Sequence, residues 1–223
     1  MKNQIVKITN IGHITHDVLH IMVEKPEGMK FTPGQATEVS INKTDWKEES
    51  RPFTFVNLPQ NNYLEFMIKT YPEHKGVTNQ LLSLEAGDEL ILNYVFGAIE
   101  YKGEGTFIAG GAGITPFVSI LRNLKFKDKV RGNKLIFANK TKDDIIIEDE
   151  LRGLLGKNFH NILSHDKAEG YAHGYVTDAF LKKHHVPFNK YIYLCGPPPM
   201  MKAIENILDQ ENFDKSLLIK EEF

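Results

Sequence analysis

The sequence predicts an N-terminal antiparallel Greek-key β-barrel over residues 1–100, followed by a C-terminal α/β domain over 101–223 with a five-stranded parallel sheet. Three observations carry this. Up to about residue 100, strand-like segments follow one another, broken by Gly, Pro, Asn and Asp. Beyond that point strand and helix alternate, the pattern of parallel strands joined by crossover helices. Between the two rhythms lies "GAIEYKGEG" (97–105), Gly-rich and charged, where we place the boundary.

In the first part, "IVKITNI", "DVLHIMVEK", "ATEVSI", "RPFTFVN", "YLEFMIKT" and "ELILNYV" alternate apolar and polar residues or form short β-branched runs. One short helix is expected at "TNQLLSL" (78–84), opened by Thr78. In the second part, strand "TFIAG" leads to helix "ITPFVSILRNL", strand "KLIFAN" to helix "IIIEDELRGLL", and strand "NFHNILSHD" to helix "TDAFLKKH". Strand "KYIYLCG" leads to helix "PMMKAIENILDQ", and a short strand "SLLIKE" comes last. The acids of "DDIIIEDEL" read as charges stabilising a helix N-terminus.

The chain has 223 residues, 41% hydrophobic and 25% charged, the composition of a globular protein. A net charge of −2 gives no reason to expect nucleic acid or an anionic membrane as partner. One cysteine, Cys195, makes no internal disulfide and no thiolate cluster site. The opening "MKNQIVKITN" is not a signal peptide, and no apolar run reaches the ~18 residues of a spanning helix, so a cytoplasmic protein is expected. Among nine histidines, His173 and the adjacent His184 and His185 lack ligand spacing, and no metal is expected.

"FIAGGAGITPF" (107–117) places Gly110, Gly111 and Gly113 where a strand enters a helix. Glycines there admit positive φ and close approach of a ligand, and the helix offers unpaired N–H groups. Pro116 suits the first turn because its missing N–H has no partner there. A diphosphate fits such a turn; so does a tight turn with no ligand. "CGPPPM" (195–200) forms a second rigid loop at a neighbouring strand end, so that the two make the sides of a cleft faced by Cys195, whose alternative reading is a small buried hydrophobe. In "RPFTF" (51–55), Arg51 suits phosphate, Phe53 can stack on a planar ring and Thr54 can donate a hydrogen bond from the other strand face. "KGVTNQL" (75–81) offers another helix N-terminus with Gly76 and Thr78.

"FTPGQ" (31–35), "RPFTF", "GVTNQL", "GGAGITPF", "FANKTKDDIIIEDEL" (137–151) and "CGPPPM" occur in the order of the ferredoxin–NADP reductase superfamily, which the chain resembles over nearly all its length. The resemblance implies an FAD-binding barrel and an NAD(P)-binding domain. It implies that Arg51 and Pro52 meet the flavin pyrophosphate, Phe53 packs on the flavin where the family has Tyr, and Thr54 lies near flavin N5. It likewise implies flavin contacts from Met67, Ile68 and Lys69 and a pyrophosphate loop at Gly76, Val77 and Thr78. On the nicotinamide side it implies Gly110, Gly111, Gly113, Thr115 and Pro116 in the dinucleotide loop, and Cys195, Gly196, Pro197 and Met200 beside the ring. The C-terminal Phe223 is the residue to cover the flavin, with Glu222 near it. Thr54, Cys195 and Glu222 form the catalytic set.

The activity so implied is an FAD-dependent NAD(P)H reductase that passes single electrons to a separate acceptor: ferredoxin, flavodoxin, a cytochrome or free flavin. In "FANKTKDD", Lys140 and Lys142 can meet a 2′-phosphate, but no arginine is present and the segment is similar to that of NADH-using cytochrome b5 reductases. NADH is favoured and a monomer is expected. The competing class is a non-catalytic nucleotide-binding subunit of a larger electron-transfer complex.

Overall fold

The computed structural model describes residues 3–221. The first sheet contains β1 (Gln4–Thr15), β2 (Val18–Glu24), β3 (Ala36–Ile41), β4 (Arg51–Thr54), β5 (Tyr63–Lys69) and β6 (Glu89–Phe96). Its order is β4-β3-β6-β1-β2-β5, with every pairing antiparallel. β6 returns between β3 and β1, the displaced neighbour of a Greek key. The Val56 N–H donates to the Glu65 carbonyl at 2.9 Å and joins the continuation of β4 to β5 across the sheet's two ends.

β5 shows why its sequence is buried on both faces. Leu64, Phe66 and Ile68 point into the barrel core, where Phe55 stacks on Phe31 (4.3 Å) and lies tilted against Phe66 (5.4 Å). Met67, one position out of phase, joins a second cluster shared with the other sheet. The same alternation runs through β4 and beyond. Phe53 and Phe55 belong with the barrel core, while Val56 belongs to the shared cluster. Thr54 therefore stands on the strand face that meets the second sheet.

The short helix α1 (Val77–Gln80) tightens into a 3₁₀ turn at Leu81–Ser83. Val77 and Leu81 anchor it in the barrel core.

The second sheet is built from β7 (Gly105–Gly110), β8 (Lys134–Asn139), β9 (Phe159–Leu163), β10 (Ala172–His173), β11 (Tyr191–Cys195) and β12 (Leu218–Lys220), in the order β10-β9-β8-β7-β11-β12. All pairings are parallel. Five strands coincide with those read from the sequence; the sixth, β10, has two residues and is too short to leave a periodic signal. Helices α2 (Thr115–Phe126) and α3 (Glu148–Leu155) cover one face, and α4 (Asp178–Lys183) and α5 (Pro198–Gln210) the other. Phe107, Phe137, Tyr193 and Cys195 point to the barrel side; Ile108, Ile136, Ile192 and Leu194 point away. α3 begins three residues later than its sequence suggests. Ile145 and Ile146 are spent on the core, and Ile147 adopts left-handed φ of 47° before the helix. Its first turn carries Glu148, Asp149 and Glu150, which suit the positive end of the helix.

The two sheets share one apolar cluster. Val18, Val56 and Met67 of the barrel pack with Ile114, Phe117 and Val118 around α2. Among the described residues no helix is long and apolar enough to cross a membrane.

Candidate functional site

Strand order reverses at β7, which pairs with β8 on one side and β11 on the other. This is the switch point at which open parallel sheets bind ligands, beyond the carboxyl ends of the strands. β7 ends at Gly110 and β11 at Cys195, with Ala109 opposite Cys195. A 3₁₀ turn, Gly111–Ile114, then feeds α2, where the Thr115 hydroxyl donates to the Ala112 carbonyl at 3.0 Å and Pro116 occupies the first turn.

The glycines of this turn do different things. A Cβ on Gly110 would lie 2.7 Å from Met200 Sδ and 2.8 Å from Pro197 Cδ. A Cβ on Gly113 would lie 2.4 Å from the Cys195 carbonyl oxygen. These two glycines, with Gly196 against Met200, let the two loops pack together. The loops thus touch each other rather than forming opposite walls of a cleft, because no side chain separates them. Gly111 differs: its φ is +52° and a Cβ there would meet nothing within 4 Å. Its backbone is the open part of the turn.

Cys195 is 3% exposed and sits in the shared apolar cluster, with Sγ 3.5 Å from Glu221 Oε2. Burial first, and then the Glu221 charge, push its thiol well above the usual range, so it stays protonated. Nothing in the sequence around Glu221 points to this contact; Glu222 and Phe223 lie outside the described residues.

On the barrel side, Arg51 is half exposed. It donates to the Ser50 carbonyl at 2.6 Å and stands 3.7 Å from Glu49. Pro52 is exposed, and Phe53 and Thr54 are half-buried. Three residue steps along the strand set Thr54 about 10 Å from Arg51. β5 pairs with β2 along its whole length, from Val18↔Lys69 to Glu24↔Tyr63, and its other edge is joined to Val56 at Glu65 and runs free beyond it. Met67 and Ile68 are buried, and the Lys69 ammonium is held by Asp17 at 2.5 Å. These three residues can therefore meet a ligand through backbone groups of the free edge. Gly76 precedes α1 with open space where a Cβ would stand; Val77 is buried and Thr78 half-buried. β5 also lies against the Gly111–Ile114 turn, with Cα atoms within 8 Å. The barrel's edge strand and the glycine turn thus adjoin.

At the carboxyl end of β8, Lys140 and Lys142 are exposed. The Lys142 N–H donates to Asp166 Oδ2 at 2.9 Å, and its ammonium lies 5.8 Å from the Tyr171 ring centre. Asp144 closes a capping box on Thr141, donated to by the N–H at 2.8 Å and the hydroxyl at 2.7 Å. His173 contacts the Asp166 carbonyl at 2.8 Å, and His184 packs on His160 and Phe180.

Sequence reasoning missed a polar network on the α2 side of the seam. Arg122 donates from Nη1 to the Val56 carbonyl and to Glu65 Oε2, both at 2.9 Å. Its Nε and Nη2 reach Glu150 at 2.6 and 2.8 Å. His20 Nε2 lies 2.8 Å from Glu65 Oε1. Burial alone would raise the Glu65 carboxyl, but the His20 hydrogen bond and the Arg122 charge outweigh it and hold it low. A cleft of about 510 Å³ opens beside this network, lined in part by His20, Glu65 and Arg122. It contains none of the residues assigned to either nucleotide.

The residues present fit two elongated dinucleotides. Gly76 and Gly111 leave open backbone at two helix-type turns, Arg51 presents a half-exposed guanidinium, and the free edge of β5 lies next to the glycine turn.

Comparison with known proteins finds two families along the chain. An FAD-binding domain family matches residues 3–94, and an oxidoreductase NAD-binding domain family matches residues 107–206. The NADH-cytochrome b5 reductase 2 of Mycosarcoma maydis is 33% identical, over 91% of this chain and 65% of its own length. The propane 2-monooxygenase reductase component of Rhodococcus jostii is 29% identical, over 97% of this chain and 62% of its own. The chain thus spans somewhat under two thirds of these relatives. Among solved structures, a ferredoxin NADP+ reductase from Neisseria gonorrhoeae, with FAD and NADP bound, superposes with a TM-score of 0.86 at 18% identity. That match covers 99% of this chain and 98% of the other. The CS-b5R domains of human Ncb5or in their NAD+ form give 0.84 at 25% identity, covering 98% and 69%.

Proposed function

Since the chain belongs to the ferredoxin–NADP reductase-like flavoprotein oxidoreductases, we propose that it oxidises a nicotinamide dinucleotide, NADH in preference to NADPH, and passes the electrons to a separate acceptor. When bound, FAD supplies the chemistry: it takes a hydride from reduced nicotinamide and gives up electrons singly. The observation that supports the reading is the approach of β5 to the Gly111–Ile114 turn, with Cα atoms within 8 Å; on this reading the two nucleotide sites share one seam.

The chain's own groups bind and orient. Arg51, with Pro52 beside it, would hold the flavin pyrophosphate with Gly76, Val77 and Thr78; Phe53, half-buried against the barrel core, would offer the ring only its exposed rim; the backbone of Met67, Ile68 and Lys69 would border it. Thr54, on the seam face, places a hydroxyl donor at the reacting edge. On the other side the open backbone of Gly111 and the start of α2 at Thr115 and Pro116 receive the nicotinamide diphosphate. Gly110, Gly113, Gly196, Pro197 and Met200 hold the two loops in register. Cys195, kept protonated by burial and by Glu221, shapes the floor and is no nucleophile. At the β8 end the Asp166 carboxylate, held by the Lys142 backbone N–H, places a negative charge at the end of the strand, which disfavours a 2′-phosphate there.

A small haem protein, an oxygenase component, ferredoxin, flavodoxin and free flavin are the acceptors to test, the first two because relatives carry the names of a cytochrome b5 and a monooxygenase. The experiment is to load the purified chain with FAD, mix it anaerobically with NADH or NADPH, and then offer these acceptors. Bleaching of the flavin, faster with NADH, and reoxidation by an acceptor support the reading. A chain that takes no FAD overturns it.

A further inference from the structure

We infer that Arg122 is a positioning residue for transfer between the two nucleotide sites, fixing the angle at which α2 meets the barrel; this rests on the function proposed above. α2 begins at the glycine turn, and Arg122 stands two helical turns further on, about 10 Å along the axis. Ser119 and Arg122 share one helix face by their spacing of three, and both engage the barrel. The Gly34 N–H donates to Ser119 Oγ at 2.9 Å. Arg122 bonds the Val56 carbonyl, two residues beyond Thr54, and the Glu65 carboxylate of β5. Its other edge is bidentate on Glu150 of α3. One planar group therefore ties the strand that carries Thr54, the edge strand beside the glycine turn, and two helices of the second sheet.

Packing alone does not call for a charge here. The Arg122 side chain is 20% exposed and Glu65 9%, so both have shed most of their water. An apolar side chain of similar volume fills such a space without that cost, often with no loss of stability. What the guanidinium adds is direction. Its fork sets orientation in the plane, which neither a lysine nor an apolar contact does. His20, bonded to the second oxygen of Glu65, keeps that carboxylate aimed. The lever decides the size of the effect. A tilt of about 6° at Arg122 moves the glycine turn by about 1 Å over that ~10 Å arm. A misplacement of ~1 Å at a reacting centre costs about a hundredfold in rate.

The test uses the full chain. Arg122→Met, Arg122→Lys and Glu150→Gln are loaded with FAD, and flavin reduction is followed anaerobically over a range of NADH concentrations. Amide hydrogen exchange at Gly34 is measured in parallel on the FAD-free protein. We expect Arg122→Met to lower the limiting reduction rate about ten- to a hundredfold. Its NADH dissociation constant should change less than about threefold, and Arg122→Lys should recover part of the rate. Gly34 exchange should quicken. An unchanged limiting rate in Arg122→Met, or a loss confined to NADH affinity, overturns the inference. If Arg122→Met does not fold, Glu150→Gln decides: a fall of about threefold or more at constant affinity supports it, and an unchanged rate overturns it. If the wild-type chain is not reduced by NADH at all, the proposed function fails. Gly34 exchange then decides the clamp alone, and exchange unchanged by the variants overturns it.

Discussion

Gly113 lies so close to Cys195 that a Cβ on the glycine would stand 2.4 Å from the Cys195 carbonyl oxygen. The ends of β7 and β11 are therefore locked by the absence of a side chain. Gly113→Ala should cost about 3 kcal/mol through overpacking against backbone that cannot yield. Gly111→Ala, in open space but at φ +52°, should cost only about 1 kcal/mol. Thermal melting reads the difference at roughly 2–4 °C per kcal/mol for a chain of this size. Equal shifts would contradict the division of labour between the two glycines.

Thr54 stands on the strand face shared with Val56, toward the second sheet. Thr54→Ala should slow flavin reduction by NADH about tenfold while leaving the NADH dissociation constant within about twofold. Rapid-mixing absorbance separates the two numbers. Reduction at the wild-type rate would remove Thr54 from the reacting edge.

Much of this architecture could be read from the chain before its structure. The barrel strands show themselves because Leu64, Phe66 and Ile68 recur with a period of two, and the parallel sheet because strand and helix alternate. β10 is hidden by its length, and the late start of α3 by the left-handed Ile147. Arg122, Glu65 and Glu150 could not be joined, since 57 and 28 residues separate the partners. Their one local signal is Glu65 itself, an acid set between Leu64 and Phe66 in β5. Gly110 and Gly113 look like phosphate glycines in sequence, yet neighbouring loop atoms occupy the space that their side chains would need.

Lys140 and Lys142 are exposed, and Asp166 accepts the Lys142 N–H. The double change Lys140→Ala and Lys142→Ala should leave kcat/KM for NADH within about twofold and lower that for NADPH by about tenfold. Steady-state rates with both donors check this. A tenfold loss with NADH would mean that the lysines contact something common to both dinucleotides.

His160 packs 4.1 Å from the His184 ring. Burial first, then the His184 and Lys134 charges, lower its pKa from 6.5 to about 4. Between these values the unfolded chain binds more protons than the folded one, so stability rises with pH across the window and is lost as pH falls through it. His160→Phe should flatten that slope. Urea unfolding above, within and below the window reads it; an undiminished slope in the variant would assign the pH dependence elsewhere.

The most direct measurement is anaerobic mixing of the FAD-loaded chain with NADH, and with NADH carrying deuterium at the transferred position of C4. If the two nucleotide sites meet at the seam between β5 and the glycine turn, the flavin band bleaches in one turnover and the deuterated donor is slower, because the C–H bond breaks in the observed step. Failure of the flavin to bleach when both nucleotides are bound would contradict that meeting.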